Sequence, residues 1–114
     1  MENNANVYEE LIEVLEYKIK LILVLIGPTF LLWIGDPRSP SMDSLSMSFQ
    51  NNTTTLKSNG DDCFDKEFSL KLSNRLNKKM PVYVSNCFTP SQTNADLRLK
   101  LEEKAVRFVE SKLN

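Results

Sequence analysis

The chain has 114 residues, enough for one hydrophobic core and too few for two. Charged residues make up 25% and apolar ones 41%, the balance of a globular protein rather than a disordered or fibrous one. A formal net charge of −1 speaks against a nucleic-acid binder, which needs a clear basic excess to neutralise phosphates.

Residues 1–17 form an N-terminal segment. Asn6-Val7-Tyr8-Glu9 resembles a capping box, with Asn6 as N-cap and Glu9 three residues on. Tyr8, Leu11, Ile12 and Leu15 keep helical spacing while Glu9, Glu10, Glu13 and Glu16 take the other side, so this pattern predicts a short acidic helix.

Leu21 to Ile34 is almost wholly apolar. A helix of about 14 residues would reach only about 21 Å, short of the roughly 30 Å hydrocarbon core of a bilayer. Gly27-Pro28 also interrupts it. The better reading is a β-hairpin: Ile19 to Ile26, a turn at Gly27-Pro28-Thr29, and Phe30 to Gly35. Strands apolar on both sides need cover on both faces, so the hairpin is expected to be central, or to have one face closed by a partner chain.

Asp36-Pro37-Arg38-Ser39-Pro40-Ser41 reads as a loop. Leu45, Met47 and Phe49 then alternate with Ser44, Ser46 and Ser48, the pattern of a half-buried strand with a polar face. Residues 50–62 are expected to form a mobile loop with an Asn59-Gly60 turn, and Thr53 to Leu56 are a candidate edge strand inside it.

Phe68, Leu72, Leu76 and Met80 recur every four positions, which stacks them on one side of a helix and leaves Lys71, Arg75, Lys78 and Lys79 on another. Pro81 ends that helix. Val82, Val84 and Asn86 then alternate with Tyr83, Ser85 and Cys87 as a strand packed against it. After the polar stretch Thr89 to Asn94, either Thr93 or Asn94 caps a closing helix in which Leu97, Leu101, Ala105, Phe108 and Val109 share a side. Because Leu97, Leu99 and Leu101 also alternate, its first turn has an extended alternative. The fold class expected is therefore α+β: one domain over residues 1–114, an antiparallel sheet with a central hairpin, and two to three packed helices.

Little here points to catalysis. There is no histidine, which removes the commonest general base and the usual activator of Ser or Cys. Gly27, Gly35 and Gly60 are too dispersed to cradle phosphates. Asp61, Asp62 and Asp65 lack the spacing of a calcium loop and read more simply as charges at a helix N-terminus. Cys63 and Cys87 do not form a zinc motif, and with no signal-peptide pattern at Met-Glu-Asn-Asn they are expected to be free thiols. The glycosylation triplets at Asn51-Asn52-Thr53-Thr54 would matter only for a secreted chain. No enzyme activity, cofactor or metal is expected.

Four segments together carry a resemblance: Phe30-Leu31-Leu32-Trp33-Ile34-Gly35, Leu72-Ser73-Asn74-Arg75-Leu76, Val82-Tyr83-Val84-Ser85-Asn86 and Leu99-Lys100-Leu101-Glu102-Glu103-Lys104. In order and spacing, over roughly residues 18 to 110, the chain resembles the proteasome assembly chaperone 4 family. The Met80-Pro81 connection is shorter than in that family, the Asn51 to Asp62 loop is unlike it, and its members more often begin with a strand than with an acidic helix. The resemblance implies a small α+β chaperone without catalysis that forms a heterodimer with the third chaperone of the set. That pair binds 20S proteasome α-type subunits, notably the fifth, and promotes assembly of the outer ring. It also implies a cytoplasmic or nuclear setting, with no nucleic acid and no membrane. The alternative reading is a peripheral membrane protein, using the apolar Leu21 to Ile34 stretch, or another small interaction adaptor without catalysis. Candidate partner-binding residues are Trp33, with a core tryptophan as the alternative, and Arg75, Lys78 and Lys79 as a charged rim, with a solvated helix face as the alternative.

Overall fold

The computed structural model describes residues 5–38, 45–49, 52–57, 65–75, 81–86, 88 and 94–113. In chain order these form β1 (Ala5–Val14), β2 (Tyr17–Ile26), β3 (Thr29–Gly35), β4 (Leu45–Phe49), β5 (Asn52–Lys57), α1 (Asp65–Arg75), β6 (Val82–Asn86) and α2 (Ala95–Leu113). The strands make one six-stranded sheet in the order β1-β2-β3-β6-β4-β5, antiparallel except for the β3–β6 pair. This is a single α+β domain, and its radius of gyration of 13.3 Å matches the roughly 13 Å of one packed unit of this length.

The hairpin of residues 19 to 35 forms as its apolar run and turn signal dictate. Ile26 lies opposite Thr29, leaving a two-residue loop in which Gly27 has φ +57° and Pro28 holds its own φ negative, the sign pattern of a type II′ turn. β2 and β3 are both interior strands. No described helix is long and apolar enough to cross a membrane.

The segment before Tyr17 is not an acidic helix but the ten-residue strand β1, paired with β2 from Ala5↔Ile26 to Val14↔Tyr17. Its apolar positions fit both periods, and ten residues of ladder on β2 outweigh the local helical preference of glutamate. Its turn, Leu15-Glu16, has φ of 49° and 73°, the left-handed pair of a type I′ hairpin without its usual Asn-Gly.

Both helices cover one face of the sheet. Ile19, Leu21, Leu23, Phe30, Leu32, Ile34, Val82 and Val84 project there and pack with Phe68 and Leu72 of α1 and with Leu97, Leu101, Ala105, Phe108 and Val109 of α2. Asn94 is the cap of α2, its Oδ1 accepting the Leu97 N–H at 3.1 Å, and the first turn is helical throughout. In α1, Lys71 and Arg75 are exposed while Phe68 and Leu72 are buried; Leu76, Lys78, Lys79, Met80, Cys63, Cys87, Asp61 and Asp62 lie outside the described residues. The expected loop of residues 50–62 holds the edge strand β5 at residues 52–57, and its Asn59-Gly60 turn lies outside the described residues.

Candidate interaction surface

β4 inverts the expected assignment of its faces. Ser46 and Ser48, read as a solvent face, are fully buried, while Met47 is only half-buried. The register explains it: Ser46 pairs with Val84 and Ser48 with Val82, so the serines lie beneath α1. Ser48 Oγ and Ser69 Oγ share a 2.6 Å hydrogen bond there. Small hydroxylated side chains on both elements let helix and strand approach closely, and the hydrogen bond meets the cost of burying the two hydroxyls. The apolar side of β4 therefore faces away from the helices.

Following the registers across the sheet shows what accumulates on that second face. Val7, Val24, Leu31, Tyr83 and Met47 stand opposite one another in a row from β1 to β4. At the usual ~4.8 Å between strands the row is about 19 Å long. Ile22 and Trp33 form an adjacent pair, and Leu11 and Ile26 lie on the same face toward its ends. Val7 is 58% exposed, Leu11 60% and Ile26 53%, whereas Ile22, Val24, Leu31, Met47 and Tyr83 are half-buried by their neighbours within the sheet. None of these residues belongs to the helix-side core cluster, and neither helix lies over them. Glu9 and Lys20, ion-paired at 3.4 Å, lie on this face between Leu11 and the row. Its apolar part is therefore the row together with Ile22 and Trp33, and an apolar patch of this kind is characteristic of an interaction site.

Trp33 sits on this face and is 7% exposed. Its burial follows from Gly35 two residues along: a Cβ there would collide with Cζ2 and Cη2 of the indole, so the absence of a side chain lets the ring lie flat along the strand. Trp33 is thus neither a member of the helix-side core nor a projecting anchor; it paves the second face.

Arg75 lies on the opposite side of the molecule, in the helix layer, where its Nε donates to Glu110 Oε2 at 3.0 Å. Lys71 Nζ likewise donates to Glu102 Oε1 at 2.9 Å. The cationic side of α1 therefore ties it to α2: the exposed Arg75 bridge contributes about 0–1 kcal/mol, while Lys71 meets a Glu102 carboxylate that is buried. Between the helices runs a groove of about 730 Å³, flanked by Leu99, 63% exposed. Trp33 and Arg75 do not share a surface.

At the end of β3, Arg38 donates from its backbone N to Asp36 Oδ1 at 2.8 Å and from its guanidinium to Oδ1 and Oδ2, each at 3.3 Å. The guanidinium hydrogen bond, then the backbone one, hold the Asp36 carboxyl below its ordinary value. Among the described residues no three of His, Cys, Asp and Glu gather closely enough to hold a metal ion.

The second-face residues other than Trp33 were not singled out as candidates from the sequence. The available signal was that residues 19 to 34 are apolar without alternation, which requires cover on both sides. The sequence matches no model of a known protein family, and no curated protein aligns with it significantly.

Proposed function

We propose that this chain is a non-catalytic assembly factor of the proteasome assembly chaperone 4 type, acting in the cytoplasm or nucleus. It pairs through its uncovered sheet face with a second small chaperone of similar fold, the third of that set, and the pair receives 20S α-type subunits, the fifth among them. The observation that carries this reading is the apolar row Val7, Val24, Leu31, Tyr83 and Met47, opposite a face already filled by helices. A like sheet laid on that row forms a two-sheet sandwich, and a stable pair needs only about 800 Å² buried per partner.

Co-expression with the third chaperone and sizing of the product tests it. A one-to-one complex is expected that captures α-type subunits from cell extract. Charging the directly opposed pair with Val24→Asp and Leu31→Asp abolishes the complex while the far-UV circular dichroism of the chain stays that of a folded protein. Absence of any complex, or one indifferent to these two aspartates, overturns the proposal.

A further inference from the structure

The outer edge of β1 offers a second surface, distinct from the sheet face in its main-chain groups and sharing with it the side chains of Val7 and Leu11. The two-residue turn makes Val14 and Tyr17 the closing pair of the hairpin, and an antiparallel ladder alternates its bonding from there. Asn6, Tyr8, Glu10, Ile12 and Val14 accordingly bond to β2. The N–H and C=O groups of Val7, Glu9, Leu11 and Glu13 point outward, where no described element pairs with them.

Proteins commonly blunt such an edge with proline, an outward lysine, a bulge or simple shortness. Over ten residues β1 has none of these, and its edge is guarded by charge alone, at Glu9, Glu10 and Glu13. The other edge strand, β5, has six residues and a register shift in its ladder at Leu45/Ser46.

Charge selects the occupant. Glu9, Glu10 and Glu13 are exposed on β1, Glu9 in a 3.4 Å ion pair with Lys20 and Glu13 opposite Lys18 of β2, so the strand is acidic but partly compensated. When two copies of this edge pair antiparallel about a two-fold axis, the centred registers set Glu9 against Glu9, Glu10 against Glu10, or Glu9 against Glu13. Like charges directly opposed across strands destabilise the pairing, so a second copy is a poor fit. A foreign strand with cations opposite Glu9 and Glu13 and aliphatic residues opposite Val7 and Leu11 meets both the charge and the apolar alternation.

We infer that the free edge of β1 is a strand-addition site for an extended segment of another protein that alternates basic and aliphatic residues on one face. Main-chain bonds supply the affinity and the glutamates the selectivity, as in other β-augmentation sites.

The test uses the full chain and the fluorescent peptide Lys-Thr-Val-Thr-Lys-Thr-Val, with a matched peptide in which Glu replaces Lys. Saturable binding of the lysine peptide is expected by anisotropy, with slowed amide exchange at Val7, Glu9, Leu11 and Glu13. Leu11→Pro removes an outward donor and no bond to β2, and weakens binding about tenfold or more. The double variant Glu9→Lys/Glu13→Lys, checked for folding by circular dichroism, loses the lysine peptide and gains the glutamate one. Equal binding of both peptides, no saturable binding, or unchanged affinity in a folded Leu11→Pro variant overturns the inference. So does a concentration-dependent homodimer that Leu11→Pro dissolves, which would assign the edge to a second copy. The variant Val24→Asp/Leu31→Asp is expected to bind the peptide normally, which separates this site from the sheet-face pairing.

Discussion

Gly35→Ala sets two effects of comparable size against each other. Gly35 is not among the residues with positive φ, so alanine is conformationally permitted and restricting the unfolded chain would stabilise the protein by about 0.4–1 kcal/mol. Against this, the new Cβ falls inside contact distance of Cζ2 and Cη2 of Trp33 and lies 3.1 Å from Cε2. Forcing a methyl into a packed site costs about 1–3 kcal/mol. The steric term is the larger, and the expected net loss is about 1–2 kcal/mol, a fall in Tm of roughly 4 °C per kcal/mol for a domain near this size. Trp33 is the only tryptophan, so its emission reports the event directly and moves to the red as the ring is pushed off the strand. Urea denaturation followed by far-UV circular dichroism gives the energy. A second variant isolates the cause: in a Trp33→Leu background the added methyl meets no indole, and Gly35→Ala becomes neutral or stabilising there. Unchanged emission together with undiminished stability in the Gly35→Ala single variant would refute the account of why Trp33 is buried.

Replacing Leu15-Glu16 by Asn-Gly relieves two left-handed residues, each strained by roughly 1–2 kcal/mol when not glycine, so thermal melting is expected to show a stabilised protein; a lowered Tm would contradict this reading of the turn. Ser48→Ala and Ser69→Ala each remove one half of a buried hydroxyl pair and cost about 1–3 kcal/mol; no loss in chemical denaturation would count against the pair. Asn94→Ala removes the cap of α2 and lowers the urea midpoint by the equivalent of about 1 kcal/mol; no change in midpoint would contradict the cap. The lowered Asp36 pKa means that the Arg38 clasp favours the folded state above the ordinary carboxylate range, near 3.8, and lets go as pH falls through the lower folded value; an NMR titration of the Asp36 carboxyl should show that midpoint rising in Arg38→Ala.

The parts of the fold legible in the sequence are those specified by local chemistry. Gly27-Pro28 between apolar runs marks a turn, Phe68 and Leu72 a helical stripe, and Asn94 the start of a 3.6-period pattern, and β2, β3, α1, β6 and α2 follow. The expected helix end at Pro81 is not among these, because residues 76–80 lie outside the described residues. β1 was not legible because Tyr8, Leu11, Ile12 and Leu15 satisfy a helical period, and only the presence of β2 decides between that and a strand. In β4 the alternation was readable but its orientation was not, since which side is interior depends on α1 lying over Ser46 and Ser48. The parallel pairing of β3 with β6 joins residues about fifty positions apart and leaves no local mark. The same holds for the candidate surface: Trp33 could be named from its type, but Leu31 on its own strand and Val7, Val24, Tyr83 and Met47 on four others meet only through the registers.

The insertion of β6 between β3 and β4 also sets a timetable for synthesis. Thr29 Oγ1 donates to the Pro81 carbonyl, so the seam closes at residues that leave the ribosome far apart in time. Translation at about 5–20 residues per second separates the end of β3 from the end of β6 by roughly 3–10 s. During that interval β3 and β4 each present a raw border to solvent, and a holding chaperone or slow codons near residue 80 would act on that half-built sheet.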